Sequence, residues 1–371
     1  MTEPGRRVLT RVGLRFPASV GSASVAEEST GSESLIPESV GPQERRNGHA
    51  ARFEHMADIA MAAERSGFDS IWVSDLAGEG PASSEGAPAF EAYTLLGALA
   101  TRTRTASLGA MVSPMTARNP AVLAKIVTGV DVLSGGRAVL GVGMGAPGAM
   151  IVGKDSATGE DSAKGEESSL PHLFRDARVD SLAEGLHICR AVFTEEVPSF
   201  EGRYYRIQEV QNRPRPIQAK GIPILVGGVE REEGMEYSVL ELVARYGDAV
   251  TLAGGVETVR DRLNTLDRLC EEVGRDPAAI SRIGTGRLVI APTEKEAVQR
   301  FDRVASYEAW NPDDRAAATT GSPDAVADQV GELLKVGVDG VVFTMAYADD
   351  LDLVELAGSA LRSVFDSASF D

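Results

Sequence analysis

Short apolar runs alternate with helix-patterned segments along nearly the whole of this 371-residue chain. Runs at 8–16 (VLTRVGLRF), 68–75 (FDSIWVSD), 106–112 (ASLGAMV), 137–143 (RAVLGVG), 222–228 (IPILVGG), 248–254 (DAVTLAG), 282–290 (RIGTGRLVI) and 339–345 (DGVVFTM) read as strands. Amphipathic segments at 52–66, 90–102, 120–133, 176–193, 235–246, 257–273, 294–307, 323–336 and 350–365 read as the helices between and after them. Gly67 stops the first of these helices, and Pro120 opens the third. Strands that are apolar throughout, instead of alternating, are what a parallel sheet covered on both faces requires. Length alone suggests two domains. Eight strand–helix units in this length predict instead a single α/β domain over 1–371, a closed (β/α)8 TIM barrel and not an open doubly wound sheet.

Two stretches interrupt the pattern. Residues 18–47 hold seven Ser, five Glu and three Gly, and 148–170 (GAMIVGKDSATGEDSAKGEESSL) are of the same kind. Both compositions indicate flexible insertions. They follow strands 1 and 4, which puts them on the C-terminal face, where barrel active sites are built. They read equally as tolerated surface loops or as lids. A third excursion, SFEGRYYRI (199–207), reads as a structural hairpin.

Charge narrows the function class. The chain carries 37 Lys+Arg and 55 Asp+Glu, a net charge of −18. Each insertion has five acids against two basic residues, so the pair supplies −6 of that total. Such a balance argues against nucleic-acid partners and anionic membranes. No stretch approaches the roughly 18 apolar residues of a membrane span, and the N-terminal sequence lacks the apolar core of a signal peptide. Cys189 and Cys270 lie in helix-like segments, which fits buried thiols in the cytoplasm better than a disulfide framework. With four His and two Cys scattered, no metal site is expected. These features indicate a cytoplasmic enzyme or small-molecule binder.

The segments GFDSIWVSD (67–75), EAYTLLGALATRT (91–103), LGAMVSPMTARNPAVLAKIVTGVDVLSGGRAVLGVGMG (108–145), FEGRYYRI (200–207), PRPIQ (214–218), PILVGG (223–228) and CEEVGRDP (270–277) occur in one order. Together they resemble the luciferase-like monooxygenase superfamily, specifically its branch that uses the deazaflavin coenzyme F420. The family fold is a (β/α)8 barrel, in agreement with the alternation. The resemblance implies a cofactor ring in the barrel mouth over Ala110, Met111, Val112 and Ser113. It also implies a strand bulge with a non-prolyl cis peptide near Ala110–Met111. The Gly141-x-Gly143-x-Gly145 run lies after the fourth strand and lacks dinucleotide-fold spacing, so a Rossmann reading fails. In the barrel, Gly143 is expected to let the ring approach the backbone. Gly227 and Gly228 after strand 5, with Thr251 and Gly254 after strand 6, are expected to receive the cofactor phosphate through backbone N–H groups.

Asp75 and His172 are the catalytic candidates. Asp75 ends strand 2, where relatives place an acid that contacts the ring or its neighbouring side chain; its alternative is to cap the next turn. An unperturbed His can exchange protons near neutrality, and His172 stands near the expected mouth, although a lone loop His can simply be solvated. Leu76 replaces the His often found beside that Asp, and Ala146 replaces the Glu of the sugar-phosphate dehydrogenases. Arg175 and Arg178 can bind an anion or lie at the surface, Glu91 and Tyr93 are packing residues near the mouth, and Asp131 is a stability residue at the opposite face. The resemblance implies hydride transfer between F420 and a small organic substrate. The alternatives are an FMN-dependent monooxygenase of the same fold and a barrel without redox cofactor. It further implies a homodimer or homotetramer through the helices beside strands 2 to 4.

Overall fold

In the computed structural model, residues 9–16, 42–75, 90–145, 175–228, 234–345 and 347–367 are described. Strand β1 (Val12–Phe16) is followed by α1 (Pro42–Ser66), β2 (Ser70–Val73), α2 (Ala92–Arg102), β3 (Ser107–Ala110), a short β4 (Ser113–Pro114), α3 (Pro120–Ser134), β5 (Ala138–Gly143) and α4 (Arg175–Thr194). An antiparallel hairpin, β6 (Phe200–Glu201) with β7 (Arg206–Ile207), precedes β8 (Ile224–Val226), α5 (Glu236–Tyr246), β9 (Ala249–Ala253), α6 (Val256–Glu272) and β10 (Ser281–Ile290). The chain then forms α7 (Glu294–Tyr307), α8 (Pro312–Ala317), β11 (Thr319–Gly321), α9 (Pro323–Lys335), β12 (Gly340–Met345) and α10 (Leu351–Ser367).

Eight parallel strands close in the order β1-β2-β3-β5-β8-β9-β10-β12, and β12 returns to β1 with Val12 opposite Val341. This is the expected (β/α)8 barrel. Closure leaves none of the eight with a free edge, which removes the hazard of unpaired strands. Two features were not legible in the sequence: α8 and β11, the latter extending β10 with Leu288 opposite Thr319. Helix α1 also starts at Pro42, ten residues before the expected 52. Six residues assigned to the first insertion (42–47) therefore belong to a helix; the rest of that insertion and all of 148–170 lie outside the described residues.

The interior and the outside of the barrel are packed separately. Trp72, Met111, Val139, Leu225, Ala249, Ile283 and Val342 fill the interior, with Leu9 and Val112 against them. A larger apolar layer joins the outward strand faces to the helices. Aspartates at strand starts tie the N-terminal face together. Asp69 accepts the Arg11 N–H (2.9 Å), Asp248 the Ile224 N–H (2.8 Å) and Asp339 the Arg282 N–H (2.8 Å). Each carboxylate thus satisfies a donor at the start of the neighbouring strand, where no ladder partner exists. Buried Asp131 does similar work, accepting from the Ile217 N–H (2.7 Å) and the Gln218 amide (2.9 Å), the structural role expected of it. Cys189 and Cys270 are buried free thiols.

Candidate active site at the barrel mouth

The mouth rests on one indole. Trp72 is fully buried, and its Nε1 donates to Ser70 Oγ at 2.9 Å. A Cβ at Gly109 would stand 2.6 Å from the Trp72 ring, and one at Gly13 only 3.0 Å from its Nε1. These glycines exist to seat the indole across the barrel, well inside the roughly 3.5–4.0 Å of normal carbon contact.

Above it, β3 breaks and resumes as β4. Gly109 faces Val139 on β5, whereas Ser113 faces Val142, so four residues on one side span three on the other. That is a one-residue bulge, which re-aims the strand at the rim. The non-prolyl cis bond lies within it at Met111–Val112, one residue beyond the expected Ala110–Met111. Ala110 is fully buried in the outer layer, whereas Met111 and Val112 line the interior.

Val112 explains the neighbouring glycines. A Cβ at Gly227 would lie 2.7 Å from Val112 Cγ1 and 2.8 Å from Thr251 Oγ1, and one at Gly143 2.9 Å from Val112 Cγ2. Gly143 therefore gives room to Val112 itself. Gly228 differs: its φ is +80°, and among the described residues nothing stands within 4 Å of a Cβ built there. It lies two residues beyond the C-terminal end of β8 and is partly buried. Thr251 is buried beside Gly227, and Gly254 has φ +111°. Gly255 caps the N-terminus of α6 without a side-chain acceptor for the helix's first N–H groups, the arrangement that receives an anion.

Asp75 reaches the mouth as expected but is committed. Its oxygens accept from Arg118 Nη1 (2.6 Å) and Nη2 (2.9 Å), and its side chain is 3% exposed. Arg118 also donates to Glu91 (2.9 Å) and lies 5.3 Å from the centre of the Tyr93 ring. Tyr93 Oη and Ser113 Oγ share a hydrogen bond of 2.6 Å, which anchors the far end of the bulge. Burial, the Asp75 charge and the surrounding low dielectric push the Tyr93 phenol far above its ordinary range, so it stays protonated. Burial also works against the Glu91 carboxylate, but the Thr94 N–H and hydroxyl, with Arg118 nearby, outweigh it and lower its pKa. Arg118 was missed by sequence reasoning. Its signal was its position, between the strand-3 end and the Asn119 helix cap, which the barrel topology assigns to the mouth.

Arg178 is buried and donates to the Gly145 carbonyl at 3.0 Å, bracing the end of β5. His187 packs on Phe200 with ring centres 5.1 Å apart, a structural contact. His172, Leu76 and Ala146 lie outside the described residues, and Arg175 is described only as the first residue of α4. Among the described residues, no group of His, Cys, Asp or Glu is arranged to hold a metal, and no helix is long and apolar enough to cross a membrane.

A closed (β/α)8 barrel with a bulged third strand and a glycine pair at its mouth defines the class. The family profile described as luciferase-like monooxygenase matches residues 34–340, and the chain belongs to that family. It is 26% identical over 326 residues to an F420-dependent glucose-6-phosphate dehydrogenase of Nakamurella multipartita, covering 82% of this chain and 91% of the relative. An F420-dependent secondary alcohol dehydrogenase in complex with an F420–acetone adduct superposes with a TM-score of 0.70 at 16% identity, covering 96% of this chain and 99% of the other. The FMN-bound oxygenating component of 3,6-diketocamphane monooxygenase from Pseudomonas putida superposes with a TM-score of 0.64 at 19% identity, covering 96% and 98%.

Proposed function

We propose that this protein is an oxidoreductase that transfers a hydride between coenzyme F420 and a small organic substrate. The observation that carries this reading is the glycine pair after β8: Gly227 packs against Val112 of the bulge, and Gly228 has a left-handed backbone with no described residue within 4 Å of its Cβ position. It fits a flat ring with a phosphate-bearing side chain. Met111, Val112 and Ser113 would back the ring. Gly227, Gly228, Thr251 and Gly254 would hold the side chain, while Ala110 and Gly143 support the bulge from behind. The similarity to F420-dependent glucose-6-phosphate dehydrogenases supports F420 over FMN.

When bound, F420 takes or gives a hydride at its ring carbon and does not activate oxygen as a flavin does. The chain's own residues then have three tasks. The Trp72 floor and the bulge set the depth of the ring and exclude water from below. The Asp75–Arg118–Glu91 cluster holds the rim, with Asp75 acting through Arg118 because both its oxygens are engaged. Proton exchange with the substrate falls to His172. Titration with F420 and with FMN, followed by fluorescence quenching, tests the assignment. Tight FMN binding with none of F420 would select the monooxygenase reading, and a Gly228→Trp variant with undiminished F420 affinity would refute the role of the glycine pair.

The reading extends to a cytoplasmic homodimer. The two buried free thiols support a reducing compartment. On α3, Val122 is 54% exposed and Leu133 60%, with half-buried Ile126 and Gly129 between them at helical spacing. A second copy covering that stripe is the arrangement it supports.

A further inference from the structure

The wall of the barrel opposite the glycine pair carries two arginines on either side of one threonine. Thr344 on β12 lies opposite Arg15 on β1 and opposite Arg287 on β10. All three share the inward parity of their strands. Val342 and Ile283 belong to the interior cluster, and a Cβ at Gly13 would meet Ser70, Val342 and Trp72. Two residues beyond Gly13 and Val342, and four beyond Ile283, the same face continues into the mouth. Neighbouring strands are about 4.8 Å apart, so the two arginine Cα atoms flank Thr344 at roughly 10 Å. The three side chains are each partly exposed.

The two guanidinium groups are held from the rim. Arg15 Nη2 donates to Ser74 Oγ at 3.4 Å. Arg287 stacks on Trp310 at 4.8 Å and is paired with Glu308, whose Oε2 also accepts the Trp310 Nε1–H at 2.7 Å. Trp310 and Glu308 come from the turn between α7 and α8, part of the excursion that the sequence did not disclose. Arg287 is nonetheless 42% exposed. A guanidinium has five donors, so a single carboxylate does not use them all.

We infer that Arg15, Arg287 and Thr344 form an oxyanion subsite, and that the substrate of this enzyme carries a carboxylate or phosphate group. The inference rests on the F420-linked reading of the mouth. The cofactor occupies the β3–β9 side, and the anionic end of the substrate is held on the β10–β12–β1 side, so its reacting carbon lies between. Two arginines and a threonine on one inward face supply the donors that an oxyanion needs. They also offer a local positive site in a chain whose net charge is −18, which steers small anions inward.

The test is calorimetric titration of the full chain with succinate and with inorganic phosphate, with and without F420, for the native protein and for Arg15→Gln and Arg287→Gln. One of the two anions is expected to bind saturably, and each substitution to weaken it roughly tenfold or more while F420 affinity is retained. The anion that binds distinguishes carboxylate from phosphate. Arg15→Lys and Arg287→Lys, which retain the charge, provide partial rescue and guard against misfolding. No saturable binding of either anion, or binding unaltered in both variants, would overturn the subsite. A fall in F420 affinity in both Gln variants would assign these arginines to the cofactor's own phosphate-bearing side chain, which also overturns it. Failure of F420 to bind the native protein, with anion binding intact, would fault the cofactor reading alone.

Discussion

Replacing Gly227 by alanine would test how the mouth is packed. The added Cβ would stand 2.7 Å from Val112 Cγ1 and 2.8 Å from Thr251 Oγ1. Ordinary carbon contacts lie near 3.5–4.0 Å, so Val112 has to retreat by about 1 Å. Its other methyl already fills the space left by the missing side chain of Gly143, where a built Cβ would stand 2.9 Å from Val112 Cγ2. Both Val112 and Thr251 are β-branched and stiff at χ1. Overpacking of this kind costs about 1–3 kcal/mol, and the upper half of that range is expected here. The bulge moves with Val112, so F420 affinity should fall as well. Urea unfolding gives the first quantity and fluorescence titration the second. Gly331→Ala on α9 is the control: among the described residues nothing stands within 4 Å of its Cβ position, and the change should stabilise by about 0.5–1 kcal/mol. A Gly227→Ala protein as stable as the native one, with unchanged affinity, would refute the boxed-valine argument.

Three further outcomes are expected. Glu64 accepts the N–H groups of Arg104 (2.9 Å), Thr105 (2.6 Å) and Ala106 (2.7 Å). Burial opposes its ionisation but those bonds prevail, so its pKa is lowered from 4.5. Its stabilisation is therefore present above the unfolded value and lost as pH falls through the lower folded one. Glu64→Ala should cost about 1–3 kcal/mol near neutrality and flatten the pH dependence of unfolding on the acid side; an unchanged acid limb contradicts this. Asp75→Asn leaves Arg118 with only Glu91, and should lower stability by about 1–3 kcal/mol; adding Arg118→Gln should recover part of that loss, and strictly additive effects would show the pair uncoupled. If the proposed dimer forms through α3, Leu133→Asp should yield monomers by light scattering, while an unchanged dimer mass would exclude the α3 stripe as the interface.

The alternation of apolar runs and helices was enough to determine the barrel. Periodicity is a local property, and each strand from β1 to β12 that closes the barrel carries it in its own few residues. Asp131 was legible for a related reason, since the turn after α3 places it at the N-terminal face whatever the rest of the chain does. Asp75 could be placed in the mouth from its position at a strand end, but its engagement by Arg118 could not. Those two residues are far apart in sequence, and only the closure of β2 against β3 brings them to 2.6 Å. The same holds for the role of Gly143, which depends on a methyl of Val112 one strand away. The bulge was expected, and its cis bond lies one residue later, at Met111–Val112. Arg15 and Arg287 are the extreme case. They are 272 residues apart and unremarked in any local pattern, and they flank one threonine because the first strand and the last two close the cylinder. Local sequence therefore chose the elements and their faces, and closure of the sheet decided which side chains meet at its mouth.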